Sequence, residues 1–248
     1  MTDTKQQLAD YVGRIEAYMM RKVDEMEQES RSMNLTELYA AMRHSLSAGG
    51  KRIRPALVYA FCEACGGELA AADAAACAME MTHTSSLIFD DLPAMDDDDL
   101  RRGKPSCHKA FGEATAILAG DALICAPFVI ISKDDKLTAV QKVAVISVLA
   151  DREGAGGMVG GQLMDMHFET QETVTPEELE TMCLGKTGAL MRASCEMGCI
   201  CAGGTEEQIQ AAGNYGLYVG LAFQIIDDIL DVISTCLLYK TPRPRDRA

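Results

Sequence analysis

The chain has 248 residues, a formal net charge of -14, no Trp and only 5% aromatic residues. That length suffices for one large domain with a sizeable core. The acidic balance excludes a nucleic-acid binder, whose footprint is basic. A polyanionic substrate stays open, because a divalent cation inverts the local sign of a carboxylate site.

Much Ala, Met, Leu and Glu, with no run of alternating β-branched residues, predicts an all-α protein. The N-terminus, MTDTKQQLAD, has no apolar signal segment, so a cytoplasmic location is expected and the ten cysteines are read as thiols of the core. Cys62 and Cys65 form a CxxC, and Cys195, Cys199 and Cys201 lie together, but no second ligand pair at zinc spacing accompanies them. No apolar run reaches the roughly 20 residues that span a bilayer, so no membrane span is expected.

In chain order, Asn34 is expected to cap a helix over 35–46 that Ala48-Gly49-Gly50 ends. A second helix is expected from Pro55 to Cys65, with Gly66-Gly67 past its end. Residues 69–92 are Ala-rich and apolar and lead into the first aspartates, with Pro93 following. Further helices are expected near 113–132, 136–151 and 156–169. Thr175 with Glu178, and Thr205 with Gln208, each fit a capping box. The Thr205 box opens a helix that carries a second aspartate cluster. Residues 1–233 read as one domain without repeats. Residues 234–248, STCLLYKTPRPRDRA, change composition abruptly and cannot continue a helix past Pro242, so they read as a tail foreign to the fold.

The second cluster is Ile225-Ile226-Asp227-Asp228-Ile229-Leu230-Asp231. On a helix Asp227 and Asp231 project from one face, and like charges so placed repel unless something neutralises them. A solvated acidic face and a divalent-cation site both fit this cluster alone. Mg²⁺ suits it because that ion takes one or two carboxylates, retained waters and substrate phosphate oxygens. The first cluster is FDDLPAMDDDDLRRGK, where Asp90, Asp91 and Asp96 to Asp99 precede Arg101, Arg102 and Lys104. Acids followed at once by bases suit a metal that bridges to a phosphate, with guanidinium groups gripping the other oxygens. A charged surface loop explains the charges but not the apolar Leu87-Ile88-Phe89 that leads into them.

A third group, Gly49-Gly50-Lys51-Arg52-Ile53-Arg54-Pro55, places glycine amides and a helix start beside Lys51 and Arg54, as an anion site requires. It is not a nucleotide-binding loop. His83 lies two helical turns before Asp90 on the same face, about 10 Å along the axis. One helix face would then present a phosphate contact and a metal ligand at separate heights.

Together these stretches resemble the trans-prenyltransferases, the farnesyl and geranylgeranyl diphosphate synthases of bacterial and plastid type. The resemblance rests on GGKRIRP, THTSSLIFDDLPAMDDDDLRRGKPSCHKAFGEATAILAGDAL, GGMVGGQLMD, GKTGAL and FQIIDDILDV, over roughly residues 40 to 232. It implies an isoprenoid synthase fold, antiparallel α-helices around a central substrate cavity, and a homodimer. It implies three Mg²⁺ ions: two held by Asp90, Asp91 and Asp96 on the allylic diphosphate, and one by Asp227, Asp228 and Asp231. Arg101, Lys186, Thr187 and Gln224 would contact the allylic substrate, with Gln162 and Asp165 lining the same site. Gly50, Lys51, Arg54, His83 and Arg102 would bind isopentenyl diphosphate.

The implied reaction ionises an allylic diphosphate, joins the cation to the isopentenyl double bond and loses a proton, adding five carbons. Dimethylallyl, geranyl and farnesyl diphosphates are the implied starters. Ser85 and Ser86, one turn below Asp90, are expected to line the path of the growing tail. Ser85, small where bulk favours farnesyl, points to geranylgeranyl diphosphate.

The family pattern normally continues past Val232, so the sequence also suggests truncation at the C-terminus, with a read-through tail. A class I terpene cyclase is the alternative enzyme, opposed by Lys51, Arg54 and His83. An inactive or regulatory synthase subunit is the alternative without catalysis, opposed by the intact aspartate motifs. Gly216 and Gly220 permit close helix approach, within the chain or between copies.

Overall fold

A computed structural model describes residues 3–168 and 170–233, apart from the side chains of Asp228 and residues 231–233. The expected tail at 234–248 lies outside the described residues. Among the described residues eleven α-helices follow one another: α1 Thr4–Glu29, α2 Thr36–Leu46, α3 Ile53–Ala64, α4 Leu69–Asp90, α5 Cys107–Phe111, α6 Glu113–Lys133, α7 Ala139–Glu153, α8 Met158–Phe168, α9 Pro176–Cys183, α10 Ala189–Cys201 and α11 Glu206–Ile233. A π-helical turn, Leu184–Gly188, links α9 to α10. Two short antiparallel strands, β1 Leu100–Arg101 and β2 Lys104–Pro105, make the only sheet among the described residues. The protein is all-α, as its composition predicts.

Among the described residues two compact units emerge, one of residues 3–59 with 73–136, and one of residues 60–72 with 137–168 and 170–233. In the first unit α1 turns Tyr11, Ile15, Met19 and Val23 inward at helical spacing. Its α2 packs on α1, α5 and α6. In the second unit α10 is buried at every residue from Ala189 to Cys201 except Arg192, and it packs on α7, α11 and the π-helical turn. A helix apolar nearly all round belongs at the centre of a core.

Several boundaries depart from expectation for local reasons. Asn34 does not cap α2; it closes the preceding 3-10 turn with φ +52°, a left-handed conformation Asn tolerates. Helix α3 starts two residues before Pro55, and α4 stops at Asp90 rather than 92, leaving Asp91 in a turn. The Thr175 and Thr205 boxes form, and α7 is opened by a third, Thr138 with Gln141.

Among the described residues α6 alone is long and apolar enough, by length and composition, to cross a membrane. Asp121 interrupts its apolar run, in keeping with the expectation that no uninterrupted apolar run reaches spanning length. Eight α6 residues, including Leu123, Ile130 and Ile131, are buried inside the chain. Of the described cysteines, Cys125 is exposed and Cys65 half-buried; the rest are core thiols. Cys65 Sγ approaches Cys199 Sγ at 3.1 Å.

Gly216 and Gly220 serve packing within the chain. A Cβ on Gly216 would sit 2.5 Å from Met191 O, and one on Gly220 2.7 Å from Gly188 Cα.

Candidate active site

In the first unit, α4 brings two groups of the expected site into line. Near its middle His83 Nε2 lies 3.3 Å from Arg54 Nη1, at the start of α3. Burial, then the charges of Arg54, Arg102, Arg52 and Arg101, hold the imidazole well below its ordinary pKa. His83 is therefore neutral at pH 7, and its Nε2 accepts from Arg54. Burial also lowers Arg54, and its Nε is buried with no hydrogen-bond partner. An orphaned guanidinium donor costs free energy until an acceptor fills its direction, and a phosphate oxygen is such an acceptor.

The loop before α3 completes this cationic corner. Gly49 and Gly50 take φ values of +88° and +129°, and the Arg102 guanidinium donates to Gly49 O. A Cβ on Gly50 would lie 2.5 Å from Arg102 Nη1, and its φ is one that residues with a Cβ rarely adopt. Lys51 is exposed beside it. Arg102 is itself turned by the β1–β2 hairpin, where it has φ +54°.

Two turns further along α4 lie the aspartates. Asp90 ends the helix, half-buried, and Asp91 follows, only 2% exposed. Asp96 returns to the helix end, its amide donating to Asp90 O at 2.9 Å. Arg101 Nε donates to Asp91 Oδ1 at 2.9 Å, and Arg101 also reaches Asp98 at 3.4 Å. Burial raises the Asp91 carboxyl, and Arg101 pulls it back without cancelling the rise. For Arg101 burial opposes the charge, but the Asp91 hydrogen bond and charge shift it upward. Arg101, expected on the allylic substrate, is thus held by Asp91 here. At the end of the cluster, Lys109 pairs with Asp99 at 2.8 Å.

Among the described residues no three His, Cys, Asp or Glu converge as a ready-made metal cage. Asp90 and Asp96, half-buried carboxylates joined through their backbone, fit an ion that draws most of its ligands from water and substrate. Mg²⁺ is such an ion. Ser85, 1% exposed, bonds to Thr82 O, and half-buried Ser86 bonds to His83 O.

In the second unit, α8 lies against the π-helical turn so closely that a Cβ on Gly161 would sit 2.1 Å from Lys186 N. This crossing brings the Lys186 ammonium onto Asp165, a buried carboxylate four residues on from Gly161. Thr187 Oγ1 donates to Gln224 Oε1 at 2.7 Å, tying the turn to α11. Gln162 Oε1 is buried without a partner. One turn along α11 from Gln224, Asp227 is half-buried. The side chains of Asp228 and Asp231 lie outside the described ones. A π-helical turn often marks a functional position; here it is the segment GKTG.

The sequence named Arg52 without a role and left out Glu80; the two form a buried ion pair beside the cationic corner. A lone Glu in the Ala- and Met-rich run CAMEMTH was the available signal. It also passed over the Lys186–Asp165 pairing, although it named both residues.

The polyprenyl synthetase family model matches residues 35–240. A geranylgeranyl pyrophosphate synthase of Arabidopsis thaliana is 45% identical over 91% of this chain and 65% of its own. A geranylgeranyl diphosphate synthase of Cyanophora paradoxa is 49% identical over 82% of this chain and 68% of its own. The chain thus spans about two thirds of the length of these curated relatives. A crystal structure of a geranyltransferase from Legionella pneumophila superposes with a TM-score of 0.86 at 41% identity, covering 93% of this chain and 79% of that one.

Proposed function

This chain belongs to the polyprenyl synthetase family, and from that premise we propose that it condenses isopentenyl diphosphate with an allylic diphosphate, giving farnesyl or geranylgeranyl diphosphate. The observation that carries the reading is on α4. One helix holds His83 against Arg54, whose Nε is buried without a partner, and two turns on it ends at Asp90, with Asp91 next in the chain. An anion site and a carboxylate group at fixed separation suit two diphosphates bound side by side.

Arg54, Arg102 and Lys51 take the isopentenyl diphosphate as charged donors, and the Gly50 turn lets the backbone approach it. Neutral His83 orients Arg54 rather than adding a charge. Asp90, Asp91 and Asp96, with Asp227, Asp228 and Asp231, are the residues that would hold Mg²⁺. Bound there, Mg²⁺ supplies charge stabilisation to the departing diphosphate. In the first unit Arg101, held by Asp91, and in the second Lys186, held by Asp165, each bring positive charge to diphosphate. Thr187 and Gln224 fix the π-helical turn. No protein nucleophile is required. The C–O bond of the allylic diphosphate breaks, the isopentenyl double bond supplies the electrons of the new C–C bond, and the proton lost goes to released diphosphate. Three Mg²⁺ ions, a cytoplasmic location and a homodimer complete the proposal; light scattering on the purified chain tests the last.

Incubating the chain with labelled isopentenyl diphosphate, dimethylallyl diphosphate and Mg²⁺, then sizing the products, tests the reading. Elongated prenyl diphosphates support it. A cyclised hydrocarbon would indicate a cyclase, and no product would fit an inactive subunit.

A further inference from the structure

Two rungs join the start of α3 to α4. One is Arg54 with His83, part of the site already described. The other, Arg52 with Glu80, is buried and has no role in that site. Arg52 Nη1 donates to Glu80 Oε1 at 2.5 Å and Nη2 to Leu46 O at 2.5 Å, while Nε reaches Glu16 at 3.4 Å. The Arg52 and Glu80 side chains are 1% and 2% exposed.

We propose that Arg52 and Glu80 are positioning residues that set the diphosphate-binding loop, Gly49 to Arg54, in its anion-competent form. The inference rests on the two-diphosphate reading above. Three observations carry it. First, Arg52 has φ +48°, a left-handed conformation that is costly for a residue with a Cβ and persists only where surroundings fix it. Its guanidinium, clamped to α4 and to the end of α2, is that fixing. Second, its carbonyl accepts from Ala56 N at 3.1 Å and so starts α3. The direction of α3, and with it Arg54, depends on how Arg52 is held. Third, Glu80 precedes His83 by three residues on α4, so the same helix face positions both rungs. The acid also lies in the field of Arg54 and Arg102, where it is the largest charge favouring their cationic forms.

A buried ion pair contributes little net stability compared with an apolar replacement. Its placement between a strained loop and the helix bearing His83 gives it a purpose that stability alone does not.

Charge and positioning predict opposite signs. If Glu80 acts only as a counter-charge, Glu80→Gln makes the corner more cationic and tightens an anion. If it is a strut, the same change loosens the loop and weakens binding. The doubly neutral variant Arg52→Gln/Glu80→Gln keeps the net charge, so a charge-only account expects unchanged affinity.

The probe is inorganic pyrophosphate without metal, titrated calorimetrically into the full chain and its variants. Positioning predicts that Glu80→Gln and the double variant each bind on the order of tenfold more weakly or worse. In the elongation assay the KM for isopentenyl diphosphate should rise while that for the allylic substrate holds, a split that general unfolding would not give. Should the double variant fail to fold, Arg52→Lys keeps the charge but loses the second arm to Leu46 O, and several-fold weaker binding is expected. Wild-type affinity in Arg52→Lys or the double variant, or tighter binding in Glu80→Gln, overturns the inference and leaves the site reading standing. A wild-type chain that neither binds pyrophosphate nor elongates overturns both.

Discussion

Gly161→Ala places the sharpest demand on the second unit. The added Cβ would lie 2.1 Å from Lys186 N, 2.6 Å from Gly185 C and 2.7 Å from Lys186 Cα. Ordinary contact lies near 3.5 Å, so α8 and the π-helical turn must part by roughly 1 Å or more. All three clashing atoms are backbone, which no rotamer change relieves. Overpacking of this kind costs about 1–3 kcal/mol, and rigid surroundings put this case at the upper end. For a chain of this size that is a fall of roughly 6–12 °C in Tm. Because Asp165 and Lys186 meet across the same crossing, elongation at a temperature well below the transition should fall as well. The assay is thermal unfolding by circular dichroism, paired with steady-state kinetics. A Tm within about 1 °C of wild type would refute the close approach and the reasoning built on it.

Gly13→Ala is the converse. Gly13 lies inside α1 with nothing within 4 Å of an added Cβ, so alanine should stabilise by about 0.5–1 kcal/mol in denaturant titration. Glu153, the last residue of α7 and 8% exposed, has its carboxyl raised to about 7 by burial. A folded pKa above the unfolded one stabilises at acid pH, and that contribution is lost as pH rises through 7. Glu153→Gln should therefore change stability little at pH 5 and raise it at pH 8 by about 1–2 kcal/mol, once solvent screening is allowed for. Equal effects at both pH values would reject the assignment. Ser85→Tyr should shorten the product by at least one five-carbon unit, read by chromatography, with Tm recorded because the site is buried. An unchanged product length would remove Ser85 from the path of the tail.

Helices were legible where a local rule decided them. Thr175 and Thr205 announced their boxes because an acceptor and its partner three residues on are enough to close two orphan amides. Helix α1 went unread because its inward residues, Tyr11, Ile15, Met19 and Val23, are spread thinly among 26 mostly polar ones. The β1–β2 hairpin went unread because its geometry depends on Arg102 in a left-handed conformation, which no propensity favours. At the candidate site, residue types at fixed spacing singled out Asp90, Asp91, His83 and Arg54. Spacing could not reveal which charge pairs with which. Arg101 meets Asp91, Lys186 meets Asp165 and Arg52 meets Glu80 across 10, 21 and 28 residues respectively. Those pairings are decided by tertiary packing. The Gly161 crossing is of the same kind: the glycine is visible in GGQLMD, its partner backbone is not.

The central claim is that the carboxylates and the cationic corner serve one Mg²⁺-dependent elongation. Counting released pyrophosphate against incorporated isopentenyl units, with Mg²⁺ present and after chelation, tests it most directly. The account predicts one pyrophosphate per five-carbon unit added, and neither without the metal. Pyrophosphate released with no isopentenyl incorporated, or elongation that survives chelation, would contradict it.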